Sequence, residues 1–333
     1  MKTGFMSLPS QPPVAFGGAE PYPLFTRITF ETTSTCTRAC GFCAVRNRPT
    51  ALRLMSDALY TKLCDELAAL RWKGVVQWFN CNEPLMDKQI LPRLRQLRAA
   101  APGATIHVTS NGDVISKLTV DEAAVKIIEI YEAGCTVFNL NAYDTAEQHA
   151  RHVAIMTRVH ELYPRARWPK SFAVAGKAGG AMWRQYSGTA KILHVQDQRN
   201  PTGLHDWQDE RIDREQGAIP GRLRRELQGP CGRPSRHIVV LWNGKVIHCC
   251  IVDPQQAERP GNTTVVGDAN TQSLVEIWNG EGYMRYRWQL QHGRRSRACA
   301  GCRERTAFPH VVRRVTADPT ITAAWDKEEQ GGD

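Results

Sequence analysis

The chain has 333 residues and eleven cysteines, and most of the cysteines fall into two arrays. The segment Cys36-Thr37-Arg38-Ala39-Cys40-Gly41-Phe42-Cys43 places three thiolates on one loop. Three thiolates can hold three irons of a 4Fe-4S cube and leave the fourth iron open, as catalytic metal sites keep an open position. A zinc site short of its fourth ligand, or a fully ligated electron-transfer cluster, is also compatible with the spacing. Cys231, Cys249, Cys299 and Cys302 supply four more thiolates, the last two as a CxxC. Four saturate either an iron–sulfur cube or a zinc ion. Cys250 follows Cys249 directly. Adjacent strand residues point to opposite faces, so one of the pair ligates and the other packs, and we assign Cys249 as the ligand. Cys64 and Cys135 sit in or beside apolar helical segments and read as core, as does the isolated Cys81.

Other polar groups gather after expected strands. They lie in Asn80-Cys81-Asn82-Glu83-Pro84-Leu85, Thr109-Ser110-Asn111-Gly112-Asp113 and Asn139-Leu140-Asn141. A carboxylate such as Glu83 can cap the helix that follows, and an Asn-Gly pair forms a tight turn without any ligand. Arg199, Arg233 and His248 are further candidates for contact with a substrate or its proton, beside the reading of each arginine as surface charge.

The elements that must position these groups alternate. A strand over 26–32 (TRITFET) runs into the first cysteines, then a helix over 56–73 carries Leu59, Leu63, Leu67 and Leu70 at helical spacing, and a strand follows at 75–79. The pattern continues with helices near 88–100, 120–133 and 145–163 and strands at 105–109, 136–140, 170–174 and 190–195. Alternation of this kind predicts a parallel sheet with helices outside it, closed wholly or partly into a barrel whose chemistry sits on the loops after the strands. The regularity fails after His194, and 198–221 reads as an irregular connection. Strands at 237–242 and 246–249 around Asn243-Gly244 then predict a hairpin, since Asn-Gly supplies the positive φ a tight turn needs. One helix is expected over 274–291. The expected divisions are an N-terminal extension (1–24), a core (25–200), a linker (201–228), a cluster-binding module (229–312) and a C-terminal tail (313–333), with a mobile polar end at 326–333.

Composition excludes little. The hydrophobic content of 42% is that of a soluble globular protein, and no apolar run approaches the length of a membrane span. Residues 1–23 lack the basic-then-apolar pattern of a secretory signal, so the expected compartment is the cytoplasm, where grouped cysteines bind metal more often than they form disulfides. The formal charge of +10 is concentrated in arginines over 211–236 and 285–305. It reads as solvated surface, because no aromatic-interleaved nucleic-acid motif accompanies it.

The CxxxCxxC loop, with aromatic Phe42 before its third cysteine, resembles that of the radical S-adenosylmethionine enzymes. The resemblance implies that the open iron chelates the methionine moiety, that one electron cleaves the sulfonium, and that the resulting 5'-deoxyadenosyl radical abstracts hydrogen from a substrate. Asn82, Glu83 and Pro84 resemble the end of the family's Gly-Gly-Glu-Pro motif, which meets the methionine ammonium, although Cys81-Asn82 replaces Gly-Gly. A carboxylate there would pair with a cation away from water. By the same resemblance Ser110, Asn111, Asn139 and Asn141 fall at the nucleoside end, with Asn at both positions of a Ser-x-Asp ribose motif. The second array is similar to the twitch-type auxiliary domain, a short relative of the SPASM domain. Gly244-x4-Cys249, Gly267, Ser273-Leu274 and Ile277-Trp278 all fit it.

The fold so implied is a partial (β/α)6 TIM-like barrel with a small C-terminal twitch/SPASM-like module. The implied cofactors are two 4Fe-4S clusters, one binding S-adenosylmethionine and one auxiliary, with a one-electron donor such as flavodoxin or ferredoxin as partner. The cysteine spacing most resembles that of 2-deoxy-scyllo-inosamine dehydrogenase, so the expected activity is that of an oxidoreductase. Its expected substrate is a polar small molecule (a sugar, aminocyclitol or nucleoside), with oxidation, epimerisation or elimination as outcome. Modification of a peptide, modification of a nucleic acid or nucleotide, and a non-enzymatic iron–sulfur or zinc scaffold are the alternatives.

Overall fold

The computed structural model describes residues 14–40, 51–168, 187–197, 231–250, 264–294, 296, 299 and 314–330. In chain order the elements are β1 (Val14–Ala15), β2 (Arg27–Phe30), α1 (Asp57–Ala69), β3 (Val75–Trp78), α2 (Ile90–Ala100), β4 (Thr105–Ser110), α3 (Val120–Glu132), β5 (Val137–Ala142), α4 (Ala146–Leu162), β6 (Ala166–Arg167) and β7 (Lys191–Asp197). They continue with β8 (His237–Val240), β9 (Lys245–Ile247), β10 (Val265–Asp268), α5 (Leu274–Asn279), α6 (Glu281–Gln291), β11 (Val315–Thr316) and α7 (Pro319–Gln330). The expected strand at 170–174 lies outside the described residues.

Nine strands form one sheet in the order β10-β9-β8-β2-β3-β4-β5-β7-β6, parallel from β8 to β6. Successive strand side chains take opposite faces, so the register sorts residues into two rows. Ile28 and Phe30, Val76 and Trp78, Ile106 and Val108, Phe138 and Leu140, and Leu193 and Val195 belong to the apolar core. Leu59, Leu63 and Leu67 of α1, Leu94 and Leu97 of α2, Ile127 and Ile130 of α3 and Ile155 and Val159 of α4 pack in that same core. The alternate residues Thr29, Gln77, His107, Asn139, His194, Gln196 and His237 are polar and buried. This is a partial TIM-like barrel whose helices cover the outer face and whose inner face is lined by polar groups.

Three of the barrel helices begin where the sequence supplies an oxygen acceptor. Ser56, Thr119 and Thr145 each accept from a backbone amide of the first turn of α1, α3 and α4, and Thr119 with Glu122 completes a capping box.

Three expectations are revised. First, β8 pairs in parallel with β2, Arg27 opposite His237 and Phe30 opposite Val240, so the hairpin of the second module extends the barrel sheet. Gly244 sits at the hairpin turn with φ of +83°, and a Cβ there would lie 2.1 Å from Asn270 Nδ2. Second, the single helix expected over 274–291 is two. Gly280, with extended ψ of 165°, ends α5 and starts α6. Third, the expected C-terminal tail is structured in its described part. β11 pairs with β1, and Trp325 of α7 is buried against Phe16 and Trp288. A large aromatic buried at this point gives the polar helix a reason to dock. Among the described residues no helix is long and apolar enough to cross a membrane.

Arg287 of α6 knits the second module together. Its buried guanidinium lies 4.0 Å from the ring centroids of both Tyr22 and Trp278, while Nε donates to Pro234 O (2.9 Å) and Nη1 to Trp278 O (2.7 Å). Burial lowers its pKa to about 10, with the neighbouring Tyr22 and Tyr283 acting in the opposite direction, so it stays charged at neutral pH. Arg287→Met should cost about 3 kcal/mol in denaturant unfolding, since it removes desolvated cation–π contacts and leaves two buried carbonyls without their donor.

Candidate functional site

The first cysteine loop leaves the C-terminal end of β2 and is anchored by its own second and third residues. Arg38 donates through Nε to Asp113 Oδ2 (2.8 Å), through Nη2 to Asp113 Oδ1 (2.5 Å) and through Nη1 to Asp144 Oδ1 (2.8 Å). Its guanidinium also lies 5.3 Å from the ring centroid of Tyr143. Thr37 Oγ1 donates to Asp113 Oδ2 (2.9 Å) and accepts from Asn111 Nδ2 (2.9 Å). Burial disfavours charge on Arg38, but the two aspartates outweigh it and hold the guanidinium above its ordinary pKa. The loop is thus fastened to the segments that follow β4 and β5.

Cys36 and Cys40 are both half-buried, and Asn111 Nδ2 reaches Cys36 Sγ at 3.5 Å. Burial pushes the Cys36 thiol up to about 11, with Glu83 and Cys40 adding to the rise, and burial raises Cys40 as well. Cys43 and Phe42 lie outside the described residues.

Glu83 is buried beside this loop. Its backbone amide donates to Thr35 O (3.0 Å), its Oε2 accepts from the Asn111 amide (2.9 Å) and its Oε1 from the Leu85 amide (3.0 Å), and the Ser110 side chain bonds it too. It caps the short 3-10 turn Pro84–Met86, whose far end, Asp87, is gripped by buried Arg93 (2.9 Å). Burial outweighs these hydrogen bonds and raises the carboxyl to about 7. Asn82 is spent on local structure, bonding Thr33 Oγ1 (3.0 Å) and the Asn80 amide (2.9 Å). Gly112, φ +80°, makes the turn over His152, and a Cβ there would sit 2.5 Å from His152 Nε2.

Asn139 and Asn141 come together as expected of neighbours on one face of β5. Asn139 Nδ2 donates to Asn141 Oδ1 (2.6 Å), and Asn141 Nδ2 to Tyr143 Oη (2.9 Å). His194 Nδ1 bonds Asn139 Oδ1, so one polar chain runs from the inner face of β7 to the ring under Arg38. Burial lowers His194 to about 3 and holds His107 well below its ordinary value, so both imidazoles are neutral.

The second array begins at the other end of the sheet. Buried Cys231 precedes β8 and buried Cys249 follows β9, the latter packed with Val239, Leu241 and Ile247. Cys250 instead meets Arg233, whose Nη1 donates to its Sγ at 3.1 Å. His248 is buried, stacks on Tyr286 with centroids 3.7 Å apart and lies 3.6 Å from Cys299 Sγ through Nε2. That places it with the second array. Cys302 and Arg199 lie outside the described residues, as do Arg211 and its neighbours up to 230. Among the described residues no group of three or more His, Cys, Asp or Glu side chains is arranged to hold a metal ion. The donor chemistry nevertheless fits iron–sulfur ligation. Soft thiols emerge from two loops, and beside the first stands a buried carboxylate suited to a cation. Cys64, Cys81 and Cys135 are buried, in keeping with core packing.

Sequence reading missed Arg38, Asp113, Asp144 and the inner histidines. The alternation of His107, Asn139 and His194 with apolar neighbours was a usable signal, whereas the Arg38 partners lie 75 and 106 positions away. Arg38→Ala should cost about 2 kcal/mol in stability through lost charged hydrogen bonds and lower the iron retained after desalting, with Arg38→Lys recovering part of both. Folding raises the Glu83 pKa, so between 4.5 and about 7 the folded chain keeps a proton that the unfolded chain releases. The Glu83 contribution to stability therefore falls as pH rises through that window. Glu83→Gln should flatten this part of the stability–pH curve measured by urea unfolding.

Residues 231–303 match the SPASM family, an iron–sulfur cluster-binding domain. No curated protein matches the chain in sequence. Among solved structures, the chain is similar to BtrN in complex with AdoMet and 2-DOIA, with a TM-score of 0.59, 20% identity, and coverage of 87% of this chain and 99% of that one. It is also similar to BtrN in an open conformation, with a TM-score of 0.54, 20% identity and coverage of 85% and 94%. A more distant likeness is to anSMEcpe with bound AdoMet and a Cp18Cys peptide, at TM-score 0.43 and 11% identity, covering 83% and 86%. The chain therefore has a fold similar to that of BtrN, and its residues 231–303 match the SPASM iron–sulfur cluster-binding domain.

Proposed function

We propose that the protein is a radical S-adenosylmethionine oxidoreductase acting on a polar small molecule such as a sugar, aminocyclitol or nucleoside. The observation that carries this reading is the buried polar row on the inner face of the barrel, formed by Thr29, Gln77, His107, Asn139, His194 and Gln196. Such a row is costly to bury unless its groups hydrogen-bond, and it suits a ligand dense in hydroxyl and amine groups. Because burial keeps His107 and His194 neutral, they can bond such a ligand without demanding a counter-charge. The similarity to a structure named as BtrN with AdoMet and 2-DOIA agrees with this reading.

In this reading Cys36, Cys40 and Cys43 hold one 4Fe-4S cluster, and Cys231, Cys249, Cys299 and Cys302 hold the other. The first cluster, when bound, supplies the electron that cleaves S-adenosylmethionine. Glu83 meets the methionine ammonium, and Ser110, Asn111, Asn139 and Asn141 line the nucleoside end, while Arg38 fixes the loop that bears Cys36 and Cys40. A flavodoxin or ferredoxin serves as electron donor.

Anaerobic reconstitution should yield about eight irons per chain, four per cube, and reductant-dependent 5'-deoxyadenosine that increases with a polyhydroxylated or amino-sugar substrate. Glu83→Gln should weaken S-adenosylmethionine binding about tenfold or more, the value of a charged hydrogen bond, at unchanged iron content. Stoichiometric zinc without 5'-deoxyadenosine would sink the reading. Turnover only on a peptide would keep the radical chemistry and replace the substrate class.

A further inference from the structure

Asn139 and His194 lie directly opposite each other in the parallel pairing of β5 with β7, and Thr109 of β4 lies opposite Asn139 on its other side. All three belong to the inner face of the barrel. So do His107, whose Nε2 bonds Thr109 Oγ1 (3.4 Å), and Phe79, whose ring meets that of His107 edge to face with centroids 5.1 Å apart. His194 is buried, whereas Thr109 and Phe79 keep part of their surface exposed, so the barrel interior opens at this level. An aromatic wall with a few fixed polar groups is the usual make-up of a small-molecule pocket.

The hydrogen bonds at this level have a direction. Asn141 Nδ2 donates to Tyr143 Oη (2.9 Å) and Asn139 Nδ2 donates to Asn141 Oδ1 (2.6 Å), so Asn139 faces His194 with its oxygen. A carbonyl oxygen only accepts, and Nδ1 of His194 therefore carries the hydrogen. Burial keeps the ring neutral, and a neutral imidazole with its hydrogen on Nδ1 has a lone pair on Nε2. Nε2 is thus an acceptor. The other end of the chain, Tyr143, lies under Arg38, so the imidazole is tied to the loop that bears Cys36 and Cys40.

We propose that His194 Nε2 accepts a hydrogen bond from one hydroxyl of the substrate, and that Asn139 is the positioning residue that holds His194 in its accepting tautomer. The proposal rests on the small-molecule reading above and assigns the residue that selects within that class. An imidazole already fixed by strand pairing and by a hydrogen-bond chain loses little freedom when a ligand arrives. A site built to bond a hydroxyl rejects the analogue that lacks it, because the buried acceptor then loses its partner. The chain through Tyr143 also sets the bound hydroxyl in a fixed relation to the first cysteine loop, as positioning for a reaction requires.

The test titrates the reconstituted enzyme calorimetrically, with S-adenosylmethionine and without reductant, using glucosamine, 2-deoxy-scyllo-inosamine and adenosine as probes. The best binder should bind His194→Phe about tenfold more weakly, the value of one hydrogen bond, and His194→Gln, which can present a carbonyl oxygen, should recover part of the loss. Among the deoxy analogues of that binder, one should bind the parent about tenfold more weakly than the binder itself, yet bind His194→Phe as well as the binder does. Nitrogen NMR of the enzyme labelled at histidine, with the His194 signal identified by its loss in His194→Gln, should show the hydrogen on Nδ1. In Asn139→Leu it should move to Nε2 at unchanged iron content. If His194→Phe does not fold, the tautomer measurement decides. Hydrogen on Nε2 in the parent, or deoxy analogues that weaken both proteins alike, would overturn the role of His194 alone. A parent that binds none of the three probes would overturn the small-molecule reading and this role with it.

Discussion

A loop bearing cysteines can hold a cluster in one place only if the loop itself is held, and here that task falls to Arg38. One guanidinium engages Asp113 with two nitrogens and Asp144 with a third, and it stacks over Tyr143. The fixed fork of donors explains why arginine rather than lysine stands between Cys36 and Cys40. Through it the cysteine loop is tied to the segments after two successive strands, β4 and β5. The segment after β4 also carries Asn111, which reaches Glu83 and Cys36, and the end of β5 itself carries Asn141, which reaches the Tyr143 hydroxyl. Polar groups that would otherwise belong to separate loops are thereby held in one arrangement.

The second constraint is the two-residue period of the strands. It sends Phe30, Trp78, Val108 and Leu140 toward the helices, and Thr29, Gln77, His107 and Asn139 to the opposite face. A barrel interior filled with branched aliphatic side chains would be a plain core. Here the interior is polar, and its neutral histidines and amides bond one another in chains that end at the first cysteine loop on one side and at Cys250 on the other.

Much of this was legible in the sequence because it depends on local pattern. The parallel core followed from strand and helix periods, and the hairpin followed from Asn243-Gly244. The cysteine arrays were visible from spacing, and Glu83 from the Pro that follows it. What escaped depends on partners far apart in the chain. Arg38 and Asp144 meet only once β5 is in place. Arg233, a substrate candidate in the sequence, also meets Cys250, a contact that no local pattern announces. The single helix expected over 274–291 took no account of Gly280, whose extended backbone divides it in two. The C-terminal helix has a polar composition, and only the burial of Trp325 shows what it packs against.

The pairing of β8 with β2 reaches beyond the positioning of cysteines. A module that shares a sheet with its neighbour is not a detachable bead on a string. Ending the chain before β8 would strip three strands, β8, β9 and β10, from one end of the nine-stranded order and leave β2 as a bare edge, with its amides and carbonyls open to any other chain. The auxiliary module thus also acts as the seal on the barrel's first strand.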